Sequence, residues 1–199
     1  MLKNYKPRAI ETLAQNALKH YNEELVCGEP CEIPIEELIE FHFGIIVQYR
    51  NLSKNGAIHG ITVFEDSIIP VYDTRSRRYE AVYAKAGTIL IDSRLLTENK
   101  IKRLRFTLAH EIGHWMIHQD YYKEIDELAS KTSSDSDIRT EREADSLGAA
   151  LLMPYGRVKV AFCRLKPKLT KEATVAQMAQ LFNVSIQAME IRLKTIGLI

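Results

Sequence analysis

The stretch RFTLAHEIGHWMIH, residues 105–118, constrains the fold more than any other part of the sequence. Its apolar residues recur with helical spacing, so His110 and His114, four residues apart, project from the same face of a helix. Two imidazoles arranged in this way can bind one tetrahedral metal ion, at about 2.0–2.1 Å from each nitrogen. Glu111 lies beside that position, where a carboxylate can take a proton from a water molecule that the metal activates. The sequence therefore predicts a metal site on a helix, with Glu111 as the general base.

The H-E-x-x-H pattern is short, and with this composition it arises by chance in on the order of one or two chains per hundred. A chance pattern would leave His110 and His114 as polar residues caught beside an apolar stripe. The context favours the metal site, because a strand-like segment, TILIDS, precedes the helix, and Leu108 and Ile112 give the helix an apolar side. Glycine costs ~1 kcal/mol relative to alanine inside a helix, so Gly113 predicts a close approach to the helix backbone.

His118 continues the row of histidines but is not predicted to bind the same ion. It stands eight residues from His110, which corresponds to about 12 Å of helix axis. The longer HExxHxxGxxH pattern is absent, because Ile117 occupies the glycine position and Asp120 the third histidine position. We therefore predict a surface or packing role for His118.

A catalytic zinc ion takes three protein ligands and keeps one open position. The segment TEREADSLGAALLMP, residues 140–154, predicts a helix that Pro154 ends, and Glu141 and Asp145 lie on one face of it. We predict Glu141 as the third ligand and Asp145 as the acceptor of the second ring N–H of a ligand histidine. Glu143 projects elsewhere and is the weaker candidate. Such a charged run alone is more typical of a solvated helix face, but beside HEIGH it completes one coordination sphere.

The remaining segments predict an α+β fold. RAIETLAQNALKHY and PIEELIEFHFG have helical spacing, and two shorter helices are predicted near residues 173–182 and 186–195. IIVQYR, IHGITVFED, SIIPVYD and TILIDS predict three or four strands of a small, mainly antiparallel sheet, with DTRSRRYE as a polar connection. Pro70 favours an edge strand or a bulge. The segment KTSSDSD, residues 131–137, predicts a mobile polar loop that could gate access.

Composition excludes few classes of protein. The net charge of +1 gives no overall basic field that would indicate nucleic acid or an anionic membrane as a partner, although local patches remain possible. No apolar run approaches the ~20 residues of a membrane span, and no secretory signal pattern opens the sequence, so we expect a soluble, cytoplasmic protein. Three cysteines, an odd number, make a poor disulfide framework. The segment CGEPC, residues 27–31, could contribute two thiolates to a zinc site. We favour free thiols for all three cysteines.

The combination of RFTLAHEIGHWMIH with EREADSLGAALLMP resembles the ImmA/IrrE family of metallopeptidases. The resemblance implies a gluzincin-like, hence zincin-like, zinc peptidase core over residues 1–154, followed by a C-terminal helical subdomain packed on it, residues 155–199. It implies His110 and His114 as zinc ligands, Glu111 as the general base and Glu141 as the third ligand. Asp145 stands where family members commonly carry asparagine, and a carboxylate can still accept the imidazole N–H.

The resemblance also implies a function, namely site-specific cleavage of a regulatory protein, often a helix-turn-helix repressor encoded on a phage or mobile element. An extended substrate could pair with the edge of TILIDS, and Tyr121, Tyr122 and Tyr155 are candidates for stabilising the oxyanion. The tail VAQMAQLFNVSIQAMEIRLKTIGLI resembles a helix-turn-helix with Ser185 as a cap, but its few basic residues make DNA binding possible rather than favoured. The alternative is a non-proteolytic, zinc-containing regulator that binds a repressor or DNA.

Overall fold

The computed structural model describes residues 4–124 and 135–199, and these residues form a mixed α+β fold. The helices are α1 (Pro7–Tyr21), α2 (Glu24–Cys27), α3 (Ile35–Glu37), α4 (Ile101–Glu124), α5 (Asp135–Leu152), α6 (Tyr155–Leu165), α7 (Lys171–Leu181) and α8 (Ile186–Thr195). The strands are β1 (Ile46–Arg50), β2 (Gly60–Val63), β3 (Ser67–Asp73), β4 (Arg78–Ala84) and β5 (Thr88–Asp92). The predicted loop KTSSDSD lies outside the described residues up to residue 134, and from Asp135 the chain is helical rather than a loop.

The N-terminal helices follow from local sequence. Pro7 stands in the first turn of α1, where its missing N–H costs nothing, and the stripe facing the interior is apolar, with Ile10 and Leu18 buried. Residues after Pro34 form α3, which continues into a π-helical turn, Leu38–His42. Gly44 then takes a φ of +66°, a conformation that favours glycine and turns the chain towards β1.

The strands form two sheets. β5 is the central strand of a three-stranded sheet with the order β1-β5-β2, parallel to β1 and antiparallel to β2. β3 and β4 pair separately as an antiparallel hairpin, so Pro70 lies on a strand with one partner, as predicted. Three expectations differ from this arrangement. Three or four strands of one small, mainly antiparallel sheet were expected, but the described residues form five strands in two sheets, with β1 and β5 parallel. The polar connection DTRSRRYE runs into β4, and TILIDS forms the buried central strand β5, which leaves no free edge for a substrate.

The two long helices α4 and α5 cross at backbone contact. A methyl group added at Gly113 would lie 3.0 Å from the carbonyl oxygen of Ala144, and one at Gly148 would lie 3.0 Å from the carbonyl of Ala109. The close approach predicted from Gly113 is confirmed, and the approaching backbone is that of α5. Because the helices touch here, the face of α4 that carries the histidines lies within side-chain reach of α5.

The C-terminal part consists of α6, α7 and α8, of which α6 was not predicted. Ser185 caps α8 as predicted, because its hydroxyl accepts a hydrogen bond from the N–H of Ala188. Buried apolar residues on both sides of residue 154, among them Leu108 and Phe182, belong to one hydrophobic cluster. The division at residue 154 and the helix-turn-helix character of the tail stay predictions. Among residues 4–124 and 135–199, no helix is long and apolar enough to cross a bilayer.

Candidate metal centre

Helices α4 and α5 bring three ligand-type side chains to one point. The Nε2 atoms of His110 and His114 lie 3.0 Å apart. The Glu141 carboxylate places Oε2 at 3.3 Å from Nε2 of His110 and Oε1 at 3.2 Å from Nε2 of His114. Four ligand atoms at about 2.0–2.1 Å from a tetrahedral ion are separated by about 3.3–3.4 Å. The three observed separations come close to that value, so the residues present fit a divalent ion with a fourth position left open.

A hydrogen bond from outside the cluster orients the first imidazole. Nδ1 of His110 lies 2.8 Å from Oδ1 of Asp145, one helical turn beyond Glu141 on α5. A carboxylate only accepts, so Nδ1 carries a proton and Nε2 is the nitrogen that faces the cluster. Burial lowers the pKa of His110, but hydrogen bonds to Asp145 and Glu141 outweigh it and raise that pKa to about 10. The same two histidines hold the pKa of the Glu141 carboxyl far below its usual value.

The second imidazole is oriented by a buried chain of hydrogen bonds that was not predicted. His118 is fully buried, with Nε2 at 3.1 Å from Oε2 of Glu143 and Nδ1 at 3.1 Å from Nδ1 of His114. The other oxygen of Glu143 accepts the backbone N–H of Tyr5 at 3.0 Å. Burial lowers the pKa of His118, which favours its neutral ring. Only one assignment satisfies all members: His118 donates to Glu143 and accepts from His114, which leaves Nε2 of His114 free to bind a cation.

These contacts revise the roles expected for His118 and Glu143. His118 is a buried, hydrogen-bonded residue rather than a surface residue, and Glu143, the weaker candidate for the third ligand, contacts it instead of joining the cluster. The helical rule that pairs His110 with His114 also pairs His114 with His118 four residues later. That spacing was therefore the available signal for a supporting contact.

Glu111 lies under the edge strand β2. The hydroxyl of Thr62 donates to its Oε2 at 2.7 Å, and Gly60 leaves room for the carboxylate, since a methyl group there would lie 2.7 Å from Cγ of Glu111. Burial raises the pKa of the Glu111 carboxyl, and His110, the Thr62 hydrogen bond and His114 lower it in part. A carboxyl whose pKa moves towards neutrality is suited to exchange protons with water. Gly60 and Thr62 were not predicted as site residues.

The cluster opens into a cleft of about 670 Å³ between β2 and the two long helices. Part of its lining is aromatic, because Phe64 stacks on Tyr122 with 4.9 Å between ring centroids. Phe64 also stacks on Trp115, which does not line the cleft, at 5.9 Å. His59, a further residue that was not predicted, lines the cleft, as does Arg103. Burial first, and then the charge of Arg103, lowers the pKa of His59, so its ring is neutral near pH 7.

The fold and the site define a class of protein in which two helices present a His, His and carboxylate cluster beside a buried glutamate. The sequence family described as IrrE N-terminal-like domain (Peptidase_M78) matches residues 57–194, and the chain belongs to this family. The resemblance stated from the motifs is thereby confirmed. The family is one of metallopeptidase-like domains, and the matched residues include every residue of the cluster.

A solved structure described as a Mycobacterium tuberculosis transcriptional regulator is similar in fold, with a TM-score of 0.53 at 16% sequence identity. The alignment covers 94% of this chain but 48% of that one, so the chain spans about half the length of the regulator it matches. At this identity the likeness concerns the fold alone. No curated protein sequence matches the chain.

Proposed function

We propose that this chain is a zinc-dependent endopeptidase that cleaves a regulatory protein at a specific site. The observation that carries the proposal is the geometry of one cleft, in which Nε2 of His110, Nε2 of His114 and the Glu141 carboxylate lie 3.0–3.3 Å apart. Glu111 lines the same cleft without being part of that cluster. A solvated helix face would not bury Glu111 or give each histidine its own oriented partner.

The donor set favours zinc among divalent ions. Two imidazoles and one carboxylate with an open position are typical of catalytic zinc, whereas an all-oxygen set would favour magnesium or calcium. In this assignment His110, His114 and Glu141 hold the ion, while Asp145 and His118 fix the two imidazole rings. When bound, the ion would supply Lewis acidity towards the scissile carbonyl and towards water.

Glu111 acts as the proton carrier of the hydrolysis. It takes a proton from the attacking water as the oxygen adds to the carbonyl carbon, and it gives that proton to the amine nitrogen as the C–N bond breaks. The carboxylate is held by the Thr62 hydroxyl at 2.7 Å, so it meets the water from a fixed direction. Tyr122 and His59 line the cleft and are the candidates for stabilising the oxyanion; among the described residues, Tyr121 and Tyr155 do not line it.

The substrate would bind as an extended chain along β2. β2 is an edge strand of the sheet, and its residues Gly60, Ile61 and Thr62 line the cleft, so its free edge can pair with a polypeptide backbone. This edge replaces the TILIDS edge, because β5 is paired on both sides. The stacked rings of Phe64 and Tyr122 would accept an apolar side chain next to the cleaved bond.

A helix-turn-helix repressor of a phage or mobile element is the substrate that the family resemblance favours. The tail gives little support to DNA as the partner. Arg192, one of its basic residues, is buried and bonded to Glu11 and to the carbonyl of Met153, and Lys194 pairs with Glu190. A cytoplasmic location goes with such a partner and belongs to the same proposal.

Co-expression with a candidate helix-turn-helix repressor, first of all the product of the neighbouring open reading frame, tests the proposal. Wild-type protein should convert the repressor into two fragments of defined mass, and Glu111→Gln should abolish cleavage while zinc binding persists. Glu98→Gln, which removes an exposed carboxylate outside the cleft, is the matched control and should cleave normally. If Glu111→Gln relieves repression as well as wild type does, the non-proteolytic regulator is correct and the peptidase is not.

A further inference from the structure

A second groove, of about 890 Å³, lies beside the metal cleft between α1, α4, α5 and α8. We call it the α1–α8 groove. Its apolar surface comes from Ile10, Phe106, Ala149 and Ile191. Arg103, Phe106 and Asp145 line both the groove and the metal cleft, so the two spaces meet at these residues. A chain that leaves the cleft along α4 would therefore enter the groove.

The groove carries an excess of unpaired positive charge. The groove is lined by Lys102, Arg103, Arg139 and Arg142, and none of them forms an ion pair among residues 4–122 and 138–199, whose side chains the structure describes. Nε of Arg139 is buried without a hydrogen-bond acceptor in the described part of the chain. A buried donor that lacks an acceptor is destabilising, and a ligand oxygen would supply the missing acceptor.

The carboxylates that line the groove are already engaged elsewhere. Glu11 binds the guanidinium of buried Arg192, Glu143 accepts from His118 and from the N–H of Tyr5, and Asp145 accepts from His110. They do not neutralise the four cations. The first turn of α8, with Gln187 and Ala188, also faces the groove and adds the positive end of a helix of ten residues.

We propose that the α1–α8 groove binds an acidic segment of the polypeptide that the metal cleft cleaves, with carboxylates on the basic rim and apolar side chains on the floor. This inference rests on the proposed function, because it assigns the groove to the same substrate. The proposal gives the C-terminal helices a docking role. The net charge of the chain is only +1, but a local cluster of cations in the groove can still select an acidic partner.

The shape of the groove favours a polypeptide over a nucleic acid. The cations surround an apolar floor in a concavity that continues into a peptidase cleft, whereas a duplex reader presents basic residues on a convex helix face. Phosphate groups would make no favourable contact with the apolar floor, whereas the aliphatic side chains of a peptide would be buried against it.

The test measures binding separately from cleavage. Fluorescence anisotropy would follow binding of a fluorescein-labelled peptide of alternating glutamate and leucine to the Glu111→Gln protein, which cannot cleave it. In a matched peptide lysine replaces every glutamate. Arg139→Gln combined with Arg142→Gln should weaken binding of the acidic peptide about tenfold. Lys159→Gln with Lys168→Gln removes two exposed cations outside the groove and should leave the affinity unchanged.

Each outcome separates the two proposals. Equal affinity for both peptides, or unchanged affinity after the Arg139 and Arg142 substitutions, overturns the groove assignment. Displacement of the peptide by double-stranded DNA, with DNA binding lost in the same double variant, overturns it in favour of nucleic acid. Charge-selective binding without any cleavage of the repressor keeps the groove and rejects the peptidase. Cleavage of the repressor at the same rate by the double variant and by wild type keeps the peptidase and rejects the groove.

Discussion

Gly60→Ala should displace the general base without touching a metal ligand. A methyl group at Gly60 would lie 2.7 Å from Cγ and 2.8 Å from Cδ of Glu111 and would also meet its Oε1. Carbon atoms in ordinary contact are about 3.5–4.0 Å apart, so the Glu111 side chain must retreat by roughly 1 Å. Its 2.7 Å hydrogen bond to Thr62 would be lost in the same movement. A misplacement of about 1 Å in an active site costs on the order of 100-fold in rate, or about 2.7 kcal/mol.

The assay is kcat/KM on a quenched fluorescent peptide that spans the cleaved bond of the repressor. Gly60→Ala should lower it about 100-fold while zinc affinity stays close to that of wild type. Gly156→Ala is the matched control, because the methyl group added there meets only the carbonyl oxygen of Val26, at 4.0 Å. Wild-type turnover by Gly60→Ala, with the fold intact, would refute the placement of Glu111 as the base.

Two further predictions concern the buried hydrogen bonds. Glu143→Gln removes the charge and leaves one acceptor oxygen for two donors, His118 and the N–H of Tyr5. Zinc affinity in a chelator competition should therefore fall about 10–100-fold, and an unchanged affinity would exclude a positioning role. Asp92 is buried; although burial raises its pKa, hydrogen bonds from Arg94 and from the N–H of Leu52 lower it overall. Its stabilisation is therefore present above about pH 4 and is lost as pH falls through the depressed pKa. In urea denaturation Asp92→Asn should cost about 2–3 kcal/mol at pH 7 and progressively less below pH 4, and a difference independent of pH would contradict this.

The cluster could be predicted from sequence because its geometry is local to two helices. His110 and His114 share a face by helical spacing alone, and so do Glu141 and Asp145. Only the packing of α4 against α5 is nonlocal, and Gly113 indicated it, because a glycine inside a helix predicts a close approach to the helix backbone. The sheet was harder, because the parallel pairing of β1 with β5 depends on a crossover of the chain that no short pattern records.

The elements that were missed lack the usual patterns. Most residues of β4 are exposed, so its sequence lacks the alternation of apolar and polar residues that predicts a strand. The start of β4 was therefore predicted as part of a polar connection. Helix α6 begins directly after Pro154. A proline predicts the end of the preceding helix, but it is also common at the start of a helix, and only the first of these was predicted here. The α1–α8 groove requires four helices distant in sequence to converge, and no helical or strand periodicity reports such a surface.

The central claim is that α4 and α5 together hold one divalent ion through two imidazoles and one carboxylate. X-ray absorption of the zinc-loaded protein tests it most directly. The account predicts a single zinc ion with nitrogen and oxygen neighbours at about 2.0–2.2 Å and imidazole scattering, lost in Glu141→Ala and in His114→Ala. Sulfur neighbours at about 2.3 Å, which would place the ion at Cys27 and Cys31, or zinc binding that survives both substitutions, would contradict it.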